Sequence, residues 1–418
     1  MDHSNPYSLE AIQIHPVINL FLALLLGIGM TLAAFGCGGD SAGSQGPKTW
    51  IVNLAGDADH QSVQACIDEA ESGDTCLVYP GIYKGTVRFK GKAVKVVSRD
   101  GPRETVLNPG DVDQDGLGDD TVVRFVDNEK PGAILDGFTV TGGHAQDHGG
   151  GIYIESASPT IRNCILVANT AAGDGGGLYC VGSTARPLIF HSIFYGNAAE
   201  GRGGALCALY ASPDLVNCLF FDNTALWGGA VSVLQRSSVN LRSSTVAYND
   251  ATERGGGIYL SDATAAVVNG ILWGNMAPLG PQAYLERSAT PETARFYARF
   301  TDLEGGRAAA FGGGLDCDTV PTPGLCMGAE ELLQAPPLFV SLDVDLPPQQ
   351  QDPTLAYYLS EPATGRTNQT ALGRSPCIDR GDPDLLVSEL GIEGRTTRTD
   401  QEPDAVPADL GYHYEGTE

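Results

Sequence analysis

Residues 203–223 read GGALCALYASPDLVNCLFFDN, and this string decides the fold. Two glycines lead into a short apolar strand, a proline-containing turn follows, and a second apolar run closes on a lone asparagine. The same phrase recurs on both sides. Its opening stands at Gly149-Gly150-Gly151-Ile152, Gly175-Gly176-Gly177-Leu178, Gly203-Gly204-Ala205-Leu206, Gly228-Gly229-Ala230-Val231 and Gly255-Gly256-Gly257-Ile258. Its close stands at Asn169, Asn197, Asn223, Asn249 and Asn275, spaced 28, 26, 26 and 26 residues apart. A fixed period of this size means a solenoid, in which each unit buries its apolar face only against its neighbours.

The periodicity inside each unit sets the kind of solenoid. After the glycines come Ile152-Tyr153-Ile154, Leu178-Tyr179-Cys180, Leu206-Cys207-Ala208, Val231-Ser232-Val233 and Ile258-Tyr259-Leu260. Outer positions are apolar and middle positions vary, which is period two and therefore a strand with one face inward. The second half aligns without a gap. Ile161, Ile189, Leu215, Leu241 and Val267 stand eight before each Asn, and Ile165, Ile193, Leu219, Thr245 and Ile271 stand four before it. Small residues (Cys164, Ser192, Cys218, Ser244, Gly270) stand five before it. No helical spacing of apolar residues occurs between residues 120 and 280. The fold class expected is all-β: a single parallel β-helix with coils stacked at roughly 4.8 Å. Glycine supplies the positive φ of its tight corners. The asparagines are expected to stack as an amide ladder satisfying corner backbone groups; the alternative reading is a row of glycan-binding side chains.

The residues of the repeat also carry a resemblance. GGAL and GGAV followed by FYGN (Phe194 to Asn197) and FFDN (Phe220 to Asn223) resemble the repeats of chlamydial-type polymorphic outer-membrane proteins. The wider chain resembles bacterial right-handed parallel β-helix repeat proteins of the pectin-lyase-like superfamily. Residues 61–98 resemble the opening of that family, a capping helix followed by the first coil. Residues 134–143 (ILDGFTVTGG) resemble its approach to the repeats, and SPCIDRGD (375–382) and DLGYHYE (409–415) resemble its terminal segment. The resemblance implies a right-handed helix with a short N-terminal capping helix. It implies little about activity, because fold and function separate in this superfamily.

At the N-terminus, LFLALLLGIGMTLAAFG (20–36) is followed by Cys37 and a Gly/Ser-rich stretch. This resembles a bacterial lipoprotein signal, which implies lipidation at Cys37 and a membrane partner through the lipid anchor. Two departures stand out: residues 1–19 hold no Lys or Arg, and Ala34 occupies the position where Leu is usual. A plain cleaved signal and an uncleaved anchor are the alternatives. The organisation expected is a signal peptide at 1–36, a flexible tether at 37–49, the β-helix at 50–340 and a capping, loop-rich segment at 341–418. The localisation implied is the cell envelope, at the outer membrane or cell surface.

Export frames the remaining cysteines. Cys66, in the expected cap helix, and Cys76, at the start of the next strand, form one expected disulfide; Cys317 and Cys326 form a second. Cys164 and Cys218 share a column two coils apart, roughly 9.6 Å, beyond disulfide reach. By the alternation, Cys180 faces inward and Cys207 outward. Those four read as core-fillers or free thiols, and Cys377 has no evident partner.

The chain has 25 Lys and Arg against 51 Asp and Glu, a net charge of −26. This argues against a nucleic-acid partner and favours a soluble surface that attracts cations. Asp111, Asp113, Asp115, Leu117 (through its carbonyl) and Asp119 follow the spacing of a calcium loop, with Gly116 at the bend. The alternative is an acidic surface loop.

Catalytic residues are sparse. A β-helix lyase needs a basic proton abstractor beside bound calcium on one exposed sheet. The outward column seven before the Asn reads Arg162, Phe190, Val216, Arg242 and Val268, and its two arginines are about 14 Å apart. Asp214 has no second carboxylate beside it. His144, Asp147 and His148 form a small cluster, read as a metal site, a base or a polar corner. No catalytic residue is assigned. The function expected is a surface-anchored, non-catalytic adhesin, glycan-binding or structural envelope protein, with a polysaccharide or cell-surface glycan as partner. A polysaccharide lyase or hydrolase is the alternative.

Overall fold

The computed structural model describes residues 46–110, 121–286 and 294–305, with short stretches and single residues between 326 and 415. Apart from the helix Val63–Glu69, every regular element among them is a strand. Through the repeats the coil-to-coil pairing is parallel, in a 17-stranded, an eight-stranded and a five-stranded sheet.

One coil shows how the sequence builds the rest. Leu206–Leu209 joins the eight-stranded sheet, Asp214–Phe221 the 17-stranded sheet and Thr224–Trp227 the five-stranded sheet. Stacking is residue on residue: Leu178, Leu206, Val231 and Ile258 pair in one column, and Ile161, Ile189, Leu215, Leu241 and Val267 in another. Their side chains fill the interior with essentially no exposure. Phe194 and Phe220 stack inside at 4.8 Å between ring centroids. A fully buried Leu or Phe contributes roughly 1.5–3 kcal/mol, so each coil stabilises itself mainly by covering its neighbours.

The glycine pairs do two different things. Gly203 has φ 70°, a conformation that costs a side-chain-bearing residue more. Gly204 is required for space: a Cβ there would sit 2.4 Å from the carbonyl oxygens of Gly229 and Thr224. Two further left-handed columns use residues other than glycine. Asn163, His191, Asn217, Ser243, Asn269 and Phe300 bend the long sheet with φ between 46° and 55°. Ala168, Asp222 and Tyr248 share the position before the ladder asparagine with Gly196 and Gly274.

The helix closes the N-terminal end. Ser62 Oγ accepts from the Ala65 N–H at 3.1 Å, an N-cap. At the other end Lys92 Nζ donates to the carbonyls of Ile67, Asp68 and Ala70 at 2.7–2.8 Å, replacing helix bonds the chain cannot make itself. A disulfide joins Cys66 to Cys76 in the strand Thr75–Val78. Of the segment 341–418, expected to cap the solenoid, Cys377, Leu410 and Gly411 lie against the side of the long sheet. Cys377 and Leu410 share a buried cluster with Ile271, and the Gly411 N–H donates to the Asn269 carbonyl at 2.8 Å.

Candidate functional site

The asparagines occupy buried corners and are not a surface row. Asn169, Asn197, Asn223, Asn249 and Asn275 are at most 4% exposed. Each Nδ2 of the first four donates to the next Oδ1 at 2.9–3.0 Å, and each backbone N–H donates to that same oxygen. Nδ2 also reaches a carbonyl one coil back, as from Asn223 to Phe194 at 2.9 Å. Gln282 ends the row by accepting from Asn275 at 2.6 Å. With both donors and acceptors occupied inside the protein, these amides have nothing left to offer a glycan.

The two outward arginines of the aligned repeats, Arg162 and Arg242, are each tied to a carboxylate. Arg162 Nε donates to Asp136 at 2.7 Å, and Asn163 Nδ2 holds the other oxygen at 2.8 Å. Arg242 Nη2 donates to Asp214 at 2.6 Å. Phe190 and Val216 separate the two pairs along the column. Asp136 lies one coil before Arg162 in the same column; it precedes the aligned repeats, so the sequence alignment did not reach it.

The loop at His144–His148 does not gather as a metal site. His144 Nδ1 meets Thr170 Oγ1 at 2.5 Å, whereas His148 Nδ1 accepts from the Asp174 N–H at 2.9 Å. Among the described residues no three His, Cys, Asp or Glu side chains converge on a common point.

The best-furnished surface is the outer face of the eight-stranded sheet, where two columns run side by side. The first holds the middle strand positions: Tyr153, Tyr179, Cys207, Ser232, Tyr259 and Tyr284. The second holds the residue before each glycine pair: His148, Asp174, Arg202, Trp227 and Arg254, linked from coil to coil by backbone hydrogen bonds. Their side chains lean onto the first column. His148 stacks on Tyr179 at 4.5 Å, and Trp227 on Tyr259 at 5.4 Å. Arg254 lies over both Trp227 and Tyr284, at 5.7 and 5.3 Å, and Arg124 over Tyr153 at 4.8 Å. Asp174, 4% exposed, is gripped by Arg202 through Nε at 3.1 Å and Nη2 at 2.9 Å. Glu286 accepts from the Tyr259 hydroxyl and pairs with Arg254 Nη1 at 3.2 Å. Burial, then the neighbouring Glu286, pushes the Tyr259 phenol well above its ordinary value, and burial does the same at Tyr179, so both stay neutral.

Cys207 faces outward, in register with Tyr179 and Ser232, yet is fully buried beneath this band. Outward is therefore not exposed here. Burial raises its thiol strongly and pushes Cys164 and Cys218 up to about 12, which suppresses thiolate chemistry at all three. The middle column was visible in the sequence as alternate residues. The second could have been found by reading one residue back from each glycine pair.

Cys37, Cys317 and the Asp111, Asp113, Asp115, Leu117 and Asp119 loop lie outside the described residues, as does the side chain of Cys326. Among the described residues no helix is long and apolar enough to cross a membrane.

No curated protein sequence matches the chain. Among solved structures, a pectin methylesterase from carrot is similar at 12% identity, over 71% of this chain and 90% of that chain, with a TM-score of 0.44. Residues 127–283 match the family model described as the right handed beta helix region. With the parallel register of its coils, this makes the fold a right-handed parallel β-helix.

Proposed function

We propose that the chain is a surface-anchored, non-catalytic β-helix lipoprotein of the cell envelope that binds a glycan, as an adhesin or a structural component. The observation that carries this reading is the contrast between two outer faces. On the long sheet, both arginines of the aligned repeats' outward column, Arg162 and Arg242, are committed to ion pairs. On the eight-stranded sheet, aromatic rings and charged pairs are held in fixed positions along the axis. Preorganised aromatic and polar groups on a rigid scaffold suit recognition. Membrane attachment through Cys37 and calcium at the Asp111–Asp119 loop belong to the same proposal.

A glycan array and a polysaccharide-degradation screen on the purified protein, with and without calcium, test it. Glycan binding without product release is expected. Release of unsaturated oligouronides, lost in Arg162→Ala or Arg242→Ala, would overturn the binding reading and place a catalytic site on that coil. Replacing Cys37 with Ala should leave an unprocessed precursor without acyl label; normal processing of that variant would remove the lipid anchor from the proposal.

A further inference from the structure

The geometry points to the outer face of the first coils of the long sheet as a surface that docks on a bilayer bearing anionic phospholipid headgroups. This inference rests on the lipid-anchor reading above and adds to it a place of contact and a headgroup class.

Three observations carry it. The first is an aliphatic patch. On the strands Thr49–Val52, Thr75–Val78 and Lys95–Ser98, the residues Ile51, Leu77 and Val97 pair into one outward column. Beyond the corner Tyr79-Pro80, Ile82 of the strand Gly81–Lys84 pairs with Val106 of Thr105–Asn108 in a second column. Leu54 lies against the start of that column, its Cδ1 2.8 Å from where a Cβ on Gly81 would sit. Ile82 is 60% exposed and Leu54 49%, and the other four are part-exposed. Further on, the first column turns to Asp136 and Arg162, which are tied to each other. The second turns to Thr139, then to Ile165 and Ile193, which are at most 9% exposed. In these two columns, exposed aliphatic surface belongs to the end of the solenoid at which the chain enters.

The second is charge. All six lysines of the chain stand between Lys48 and Lys130. Residues 46–110 hold eight Lys and Arg against eight Asp and Glu, whereas residues 111–418 hold 17 against 40. Anionic headgroups therefore repel the body of the solenoid and not this end. Lys84 and Lys95 flank the patch on its own strands, exposed and in no ion pair among the described residues. Of the acids at its margin, Asp59 accepts from the Ile51 N–H at 2.8 Å and Asp100 pairs with Arg99 at 2.6 Å. Aliphatic side chains that enter the headgroup layer, with lysines reaching its phosphates, are what an interfacial surface requires.

The third is reach. Cys37 stands 12 residues before Thr49, and a chain of that length spans at most about 43 Å. A lipid on Cys37 holds the patch close to the bilayer, so docking becomes an intramolecular step at high effective concentration.

Full-length lipidated protein reconstituted in vesicles tests this, with an environment-sensitive dye on Ile82→Cys and, as control, on Tyr210→Cys, an exposed site on a later coil. The free cysteines among the described residues are buried, and wild type treated with the same dye supplies the background. In vesicles of equal parts phosphatidylcholine and phosphatidylglycerol, the dye at position 82 should shift to the blue and be quenched by lipids carrying a nitroxide at headgroup level. The dye at position 210 should do neither. Lys84→Gln combined with Lys95→Gln should lower the docked-to-free ratio about thirtyfold and leave flotation with the vesicles unchanged. A dye at position 82 that stays unquenched while the protein floats would overturn this surface and leave the lipid anchor standing. Equal quenching in phosphatidylcholine alone would overturn the anionic class. A blue shift that needs no vesicles and grows with protein concentration would give the patch to a second copy and overturn the bilayer as its partner. Protein that neither floats nor carries an acyl label would sink the anchor and the surface together.

Discussion

At Asn223 a single amide has its whole hydrogen-bonding capacity taken up. The two hydrogens of Nδ2 are shared among Phe194 O, Phe221 O and Asn249 Oδ1, and its Oδ1 accepts from the Asn197 N–H and Nδ2. All of these groups are buried, so truncation leaves several polar atoms unpaired. Asn223→Ala is expected to destabilise by about 3 kcal/mol in urea unfolding; a loss under 1 kcal/mol would show that the row is decorative. Asp74 shows the same physics with a charge. Its carboxylate accepts from the Lys48 and Glu71 N–H groups and from Trp50 Nε1. Chiefly the Lys48 N–H, then the other two, hold its carboxyl below the usual carboxylate range. A folded-state value below the unfolded one, about 3.9, gives stability that is complete above the unfolded value and is lost as pH falls from there through the lower folded value. The wild type should therefore lose stability more steeply than Asp74→Asn below about pH 5, and equal slopes for the two proteins would remove Asp74 from acid unfolding.

The cap helix has seven residues, too few to persist alone, and three devices hold it. Ser62 caps its start, Lys92 collects three carbonyls at its end, and the Cys66–Cys76 disulfide fastens its middle to the first coils. Replacing both cysteines with Ala should cost about 2–3 kcal/mol for a loop of this length. The loss should concentrate at this end, because solenoid stability is a sum of local and nearest-neighbour terms. Hydrogen exchange should accelerate at Val63–Glu69 while Leu206–Leu209 stays protected; uniform acceleration would mean that the coils unfold as one unit. Lys92→Met should produce a smaller change with the same distribution.

At the scale of the whole molecule, the strong negative charge makes any bound cation count. If the Asp111–Asp119 loop binds calcium, the ion should raise Tm by mass action, since it binds only the folded chain. Asp111→Asn combined with Asp113→Asn should erase that shift; an equal shift in both proteins would mean general screening of the −26 charge or another site.

The architecture could be read from the chain because a solenoid is local. Its period, its inward apolar columns and its corner glycines repeat within 28 residues, so alignment of the copies reproduces the stacking. Position in the repeat also marked the arginine column and the Tyr153, Tyr179 and Tyr259 column. What the columns do depended on neighbours outside the aligned positions. Asp136 turns Arg162 into half of an ion pair, Trp227 leans across a corner onto Tyr259 and into the cluster that buries Cys207, and Arg254 lies over Trp227 and Tyr284. Ile165, Leu219 and Ile271 face out from the long sheet yet are buried, and at Ile271 the cover is Cys377 and Leu410, more than 100 residues away in sequence. Sequence by itself determined which residues stack into columns, because the repeat is local; the direction a column faces followed strand alternation only up to the left-handed bend at Asn163, His191, Asn217, Ser243 and Asn269. Only the tertiary structure decided which outward side chains meet solvent, because that depends on how distant segments pack across the coil surface.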